Sequence, residues 1–142
     1  MGTDRKDAAA GTLDALVGSW DIEISHPSDP SHVIGGRADF ERLEGGHFVL
    51  ERWQIDHPEF PNGLAVYDAG TQHYFDARGV ARVYEMSIAD GEWKLARDGD
   101  DFSQRFTGRF SDGGSVIDGY WEMARDGTTF ERDFDLTFRK VS

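Results

Sequence analysis

The chain contains no cysteine among its 142 residues and only four prolines. The absence of cysteine excludes disulfides, thiolate catalysis and metal sites built on cysteine ligands. The sequence has no apolar run of the length that a signal peptide needs, and no GxSxG, Walker, GxGxxG or HExxH motif. We therefore expect a cytoplasmic protein without a cofactor or a metal site.

Positive charge is also scarce. The chain has 15 Lys and Arg residues and 27 Asp and Glu residues, which gives a net charge of -12 and a pI near 4.6. Such a surface repels phosphate backbones and anionic lipid. Nucleic acids and membranes are therefore not expected as partners, whereas a homodimer is left open.

Glycine and aromatic residues are abundant, with 17 glycines and an aromatic content of 13%. From Gly18 onward apolar residues alternate with polar ones, and turn signals such as Asp90-Gly91 and Asp126-Gly127 recur at short, even spacing. This pattern predicts an all-β, closed, antiparallel up-and-down barrel of about ten strands, because closure removes exposed edges.

Several segments lie outside that regular pattern. Residues 1–12 are polar and predicted to be flexible, so the single domain covers residues 13–142. Leu13, Leu16 and Val17 have helical spacing and predict a short helix at one end of the sheet. The stretch HPSDPSH, residues 26–32, and the stretch DHPEFPNG, residues 56–63, are predicted to be loops.

Three stretches carry a resemblance to a known group of proteins: Gly18-Ser19-Trp20, LEGGHFVLERW at 43–53, and YWEMARDGTTFERDFDLTF at 120–138. Together they resemble the calycin group, which comprises lipocalins, fatty-acid-binding proteins and nitrobindin-like proteins, and in particular lipocalin-like bacterial proteins of about this length. The resemblance implies a closed barrel with an internal pocket and with Trp20 at its closed end. It carries over no activity. Nitrobindin-like proteins hold haem with a late histidine, whereas the last histidine here is His73, so haem binding is disfavoured.

Alternation along the strands places charged residues among rings. Arg82 shares a face with Tyr84, Gln104 with Phe106, and Arg132 with Phe134. The segment HFVLERWQI is ambiguous, because either Glu51 and Trp53 or Arg52 would point inward. A buried charge without a partner costs several kcal/mol. Each inward arginine therefore needs a ligand, water, an internal ion pair with Glu51, or a position at the rim.

The histidines are weaker candidates. His73 would point inward if Phe75 does, either as a pocket residue or general base or as a hydrogen-bonded core residue. His26 and His32 flank Asp29, but they are expected in a solvated loop and not in a metal site.

The leading hypothesis is that the barrel binds a small hydrophobic molecule with a polar or anionic head group. The alternatives are an isomerase, cyclase or hydratase with His73 as its base, a haem protein, and an interaction module with a filled interior; no catalytic residue is assigned. Trp20 would also help to line the pocket. The predicted ligand-binding residues are Arg132, Arg82, Gln104, His73, Glu51, Trp53, Tyr84, Phe106, Trp121 and Phe134.

Overall fold

A computed structural model describes residues 13–68 and 70–142, so the prediction for residues 1–12 lies outside the described residues. Ten strands and one short 3-10 helix, Asp112–Gly114, account for most of this part of the chain. The strands are β1 (Gly18–His26), β2 (Asp29–Arg42), β3 (Val49–Ile55), β4 (Gly63–Tyr67), β5 (Thr71–Asp76), β6 (Ala81–Ala89), β7 (Glu92–Arg97), β8 (Ser103–Ser111), β9 (Val116–Ala124) and β10 (Glu131–Lys140).

The strands form one closed barrel. Each pairs antiparallel with the next along the chain, and β10 pairs with β1 from Trp20↔Lys140 to Ser25↔Asp135. Tight turns make the short connections: Asp90 and Gly91, between β6 and β7, both have positive φ, at 54° and 76°, as a two-residue hairpin turn of this twist requires. The predicted up-and-down barrel of about ten strands is confirmed.

The N-terminal segment covers one end of the barrel. The Leu16 amide donates to the Leu13 carbonyl at 3.0 Å, which makes a helical turn over residues 13–16. The Trp20 indole N–H donates to the Leu16 carbonyl at 2.9 Å, and both residues are fully buried. Trp20 also packs edge-on against Phe138. These contacts place Trp20 at the closed end.

The opposite end is formed by the other set of connections, and one of these is shorter than predicted. His26 pairs with Asp29, so only residues 27 and 28 turn, and the predicted loop over 26–32 is wrong beyond Ser28. Pro30 is compatible with the strand because β2 pairs with β3 only from Gly36 onward. Pro30 therefore has no neighbour on that side, where a missing N–H costs nothing.

The inner faces follow the predicted alternation on most strands. Trp20, Ile22, Ile24, Tyr84, Trp93, Leu95 and Phe106 are all buried. The ambiguous segment is resolved with Val49, Glu51 and Trp53 on the inner side, while Phe48 is 45% exposed. No helix in the described residues is long and apolar enough to cross a membrane.

Candidate functional site

The barrel encloses a cavity of about 650 Å³ that reaches from its buried centre to the open end. This volume lies within the range of small-molecule pockets, about 300–1,000 Å³. The alternative of an interaction module with a filled interior is therefore wrong. The walls of the cavity are mainly apolar and include Ile22, Ile24, Ile34, Trp53, Ile55, Leu95, Phe106, Trp121, Phe134, Leu136 and Phe138.

One polar group of the cavity lies toward the open end, where β6 begins. Arg82 donates through Nη1 to the Gln104 side-chain carbonyl at 3.2 Å, and the Tyr84 hydroxyl donates to the same oxygen at 2.7 Å. Burial raises the pKa of Tyr84, so this hydroxyl keeps its proton. In the described residues no carboxylate forms an ion pair with Arg82. The predicted inward orientation of all three residues is confirmed.

A second polar group lies deeper. The Tyr67 hydroxyl donates to Glu51 at 2.6 Å and accepts a hydrogen bond from the Gln72 amide at 2.7 Å. Burial raises the pKa of Glu51 to about 7. The predicted inward position of Glu51 is therefore confirmed, but the alternative in which Glu51 pairs with Arg82 or Arg132 is wrong, because its partner is a tyrosine.

Tyr67 and Gln72 were not predicted as site residues, and the one signal for them is the alternation of polar residues along β5. They are direct cross-strand partners on β4 and β5. Gln72, Tyr74 and Asp76 alternate along β5, and Gln72 and Asp76 are buried. This inner face of β5 is polar, so an apolar count selects the opposite face.

Tyr74, Asp76 and Arg78 form a third group, at the mouth. The Tyr74 hydroxyl donates to Asp76 at 2.6 Å, and Arg78 donates to the same carboxylate at 2.6 Å. These contacts, led by Arg78, hold the pKa of Asp76 well below its usual range. Tyr74 stacks on Trp53, whose indole N–H donates to the Pro61 carbonyl. The loop between β3 and β4 is thereby tied to the rim.

The predicted inward position of Arg132 is wrong. Between Arg132 and Phe134 the register of β10 on β9 shifts by one residue: Arg132 faces Glu122, and Phe134 faces Trp121. This bulge reverses the alternation, so Asp133 joins Phe134 on the cavity wall. Arg132 is exposed, lies 3.9 Å from the Tyr120 ring centroid, and donates to Asp135 at 2.6 Å.

The predicted inward position of His73 is also wrong. Phe75 is 45% exposed, and His73 shares its outer face. The His73 Nε2 atom lies 3.6 Å from Asp68, and the His73 side chain is 44% exposed. A general base acting inside the cavity cannot be this residue.

Of the remaining predictions two are wrong: Trp20 is buried at the closed end and does not line the cavity, and His26, Asp29 and His32 lie on strands and not in a loop. Trp53, Phe106, Trp121 and Phe134 line the cavity. Phe60, which was not predicted, packs edge-on against Phe134 with 5.4 Å between ring centroids. His26, Asp29 and His32 are at the open end, and no group of three potential metal ligands occurs in residues 13–68 and 70–142.

No family model matches the chain, and no curated protein matches it. Several solved structures, in contrast, superpose on this chain. Fatty-acid-binding protein 1 of Echinococcus granulosus superposes with a TM-score of 0.62 at 11% identity, covering 91% of this chain and 99% of that one. Rv2717c of M. tuberculosis gives 0.60 at 12% identity, covering 94% and 98%. Zebrafish ileal bile acid-binding protein, solved with cholic acid, gives 0.54 at 14%, covering 89% and 99%. At these identities the likeness concerns the fold alone, which this chain shares with a fatty-acid-binding protein and a bile acid-binding protein.

Proposed function

We propose that this barrel binds a small hydrophobic molecule inside its cavity and that Arg82 holds the polar or anionic head group of that molecule. The observation that carries the proposal is an inward guanidinium, at the wall of a largely apolar cavity, without a carboxylate partner in the part of the chain described. A half-buried charge in such a setting needs compensation. An anionic head group would supply it.

The hydrogen bonds around Arg82 leave donors for a guest. Among the described residues Arg82 donates to the oxygen of Gln104, which also accepts from Tyr84, and its guanidinium lies 5.9 Å from the Phe102 ring centroid. A guanidinium carries five N–H donors in a fixed fork that matches a carboxylate. Gln104 and Tyr84 therefore orient the arginine without using up its capacity to bind.

The walls suit the body of such a molecule. Aliphatic residues of β1 and β10 line the cavity together with aromatic residues of β8 and β9, and each Å² of apolar surface removed from water contributes about 25 cal/mol. The structural neighbours support the same ligand class, because one is a fatty-acid-binding protein and another holds cholic acid.

The proposal is tested with two probes of equal chain length, dodecanoate and 1-dodecanol. Binding is followed by the fluorescence of the cavity tryptophans, Trp53, Trp93 and Trp121. Replacing Arg82 by Met should weaken dodecanoate binding by roughly ten- to a hundredfold, since a hydrogen bond to a charged group is worth about 1.5–3 kcal/mol. Dodecanol affinity should change little.

Arg132→Met is the matched control. It removes the same charge on the outer surface, so it should leave the affinity for both probes unchanged. If Arg82→Met weakens dodecanoate no more than Arg132→Met does, Arg82 does not hold the head group. If neither probe binds the wild-type protein, the ligand class is wrong.

A further inference from the structure

The deep polar group of the cavity is suited to a different part of the ligand. It consists of Glu51, Tyr67 and Gln72 together with Trp93, whose ring lies 6.1 Å from that of Tyr67, and we call these four residues the deep cluster. All four line the cavity, and none is more than 6% exposed. The head-group site at Arg82 does not involve them.

Two polar atoms of the deep cluster have no hydrogen-bond partner in the described chain: the side-chain oxygen of Gln72 and the indole N–H of Trp93. A buried polar atom without a partner costs about 1–3 kcal/mol, so most such atoms in proteins are paired. One of the two is an acceptor and the other a donor. Turning the Gln72 amide over would replace its free acceptor by a free donor, and a hydroxyl satisfies either.

The charge of the deep cluster limits what can bind there. Burial raises the pKa of Glu51 to about 7, so its carboxyl carries a proton at pH 6. A ligand carboxylate beside this neutral carboxyl would lose its hydration with no cation among the described residues of the cluster to compensate, and above pH 7 the ionised Glu51 would also repel it. A neutral hydroxyl has neither problem, because it donates one hydrogen bond and accepts others.

The deep cluster is separated from Arg82 along the barrel. Gln72 faces Tyr84, two residues along β6 from Arg82, and Trp93 faces Ile88, six residues along. At about 3.3 Å per residue these backbone levels lie roughly 7 and 20 Å from Arg82 along the strand. The side chains converge nonetheless, because the Trp93 ring lies 6.1 Å from that of Tyr67, whose hydroxyl accepts a hydrogen bond from Gln72. A chain anchored at Arg82 would therefore bring its distal part to the deep cluster.

We propose that the unpartnered groups of Gln72 and Trp93 bind a hydroxyl on the distal part of the ligand, so that the preferred guest is a hydroxylated fatty acid. This inference rests on the proposed function, because it assumes that the carboxylate end lies at Arg82. The hydroxyl donates to the Gln72 oxygen and accepts from the Trp93 indole.

The test compares unsubstituted fatty acids of 10, 12, 14 and 16 carbons with their ω-hydroxy counterparts at pH 6. An apolar pocket would bind the hydroxy acid roughly tenfold or more weakly, the cost of burying a hydroxyl without a partner. We expect the wild-type protein to bind it at least as tightly as the plain acid at one or more lengths. Trp93→Phe and Gln72→Met should each restore the tenfold preference for the plain acid.

Failure of this inference differs from failure of the proposed function. If plain acids bind and every hydroxy acid binds tenfold more weakly, the deep cluster does not hold a hydroxyl, while the Arg82 site stands. If no acid binds at any length, both proposals fall. A preference for the hydroxy acid that survives in both folded variants would also overturn the assignment to Gln72 and Trp93. Thermal melting establishes that each variant is folded.

Discussion

Glu51 makes the stability of this barrel depend on pH in a direction opposite to that of most carboxylates. Glu51 is 6% exposed, and its carboxyl group accepts a hydrogen bond from the Tyr67 hydroxyl. Glu51→Gln keeps the shape of the side chain and an oxygen that accepts from Tyr67, but it cannot ionise. Comparison of the variant with the wild type therefore isolates the cost of the buried negative charge.

The size of this pH-dependent loss of stability follows from two pKa values of Glu51, which are 4.5 for the solvent-exposed group of the unfolded chain and about 7 in the folded protein. Between these values the folded chain keeps a proton that the unfolded chain has lost, so stability falls as pH rises. One pKa unit is worth about 1.4 kcal/mol. The wild type should lose about 3 kcal/mol relative to Glu51→Gln across this window, with full stability below pH 4.5 and the full loss above pH 7.

The assay is urea unfolding of both proteins at half-unit steps from pH 5 to pH 8.5, with the free energy of unfolding extrapolated to water. Glu85→Gln is the control, because Glu85 is exposed on the outer face of β6 and its replacement removes the same formal charge. The stability difference for Glu51→Gln should grow with pH. The difference for Glu85→Gln should stay nearly constant.

A constant difference for Glu51→Gln, or one that shrinks as pH rises, would refute this account of the deep cluster. It would mean that Glu51 ionises in the folded barrel without cost, as it would beside a cation or open water.

Two further predictions concern the mouth and the wall. Asp76→Asn should lower the free energy of unfolding by roughly 2 kcal/mol at pH 7, because Asp76 accepts hydrogen bonds from Tyr74 and Arg78. Urea unfolding should show that this loss shrinks below pH 3.8. The control Asp118→Asn, at an exposed position, should show no such loss. Gly119→Ala should cost about 1–3 kcal/mol in the same assay, because its Cβ would lie 2.7 Å from the Phe106 ring. A loss as large for Gly35→Ala, where the nearest atom is 3.8 Å away, would contradict that packing argument.

The barrel could be predicted from the sequence because strands and turns are marked by patterns among residues close together in the chain. Alternation fixes the faces of strands such as β1 and β8, and Gly-containing turns fix their ends. The inward positions of Arg82 and Gln104 followed from the same pattern and are confirmed. Their roles in ligand binding stay a prediction, as do the cytoplasmic location and the oligomeric state.

The two orientation errors have different causes. Arg132 was placed inside because strict alternation cannot anticipate a bulge, which the pairing of β10 with β9 introduces through Asp133. His73 was placed inside because Phe75 was taken as a core residue, whereas the inner face of β5 is polar. That face is stabilised by hydrogen bonds from other strands, as between Gln72 and Tyr67, and these cannot be inferred from a single strand.

Closure of the barrel through β1 and β10 also constrains the biosynthesis of the chain. Trp20 pairs with Lys140, and the ladder between these two strands joins the first and the last strand of the described chain. During translation β1 therefore has no partner on one side until every other strand has been made. Such distant pairing slows folding, and a nascent sheet with open edges is prone to associate with other chains. The interval before β10 is made is thus the stage at which the open edge of β1 is most available to other chains.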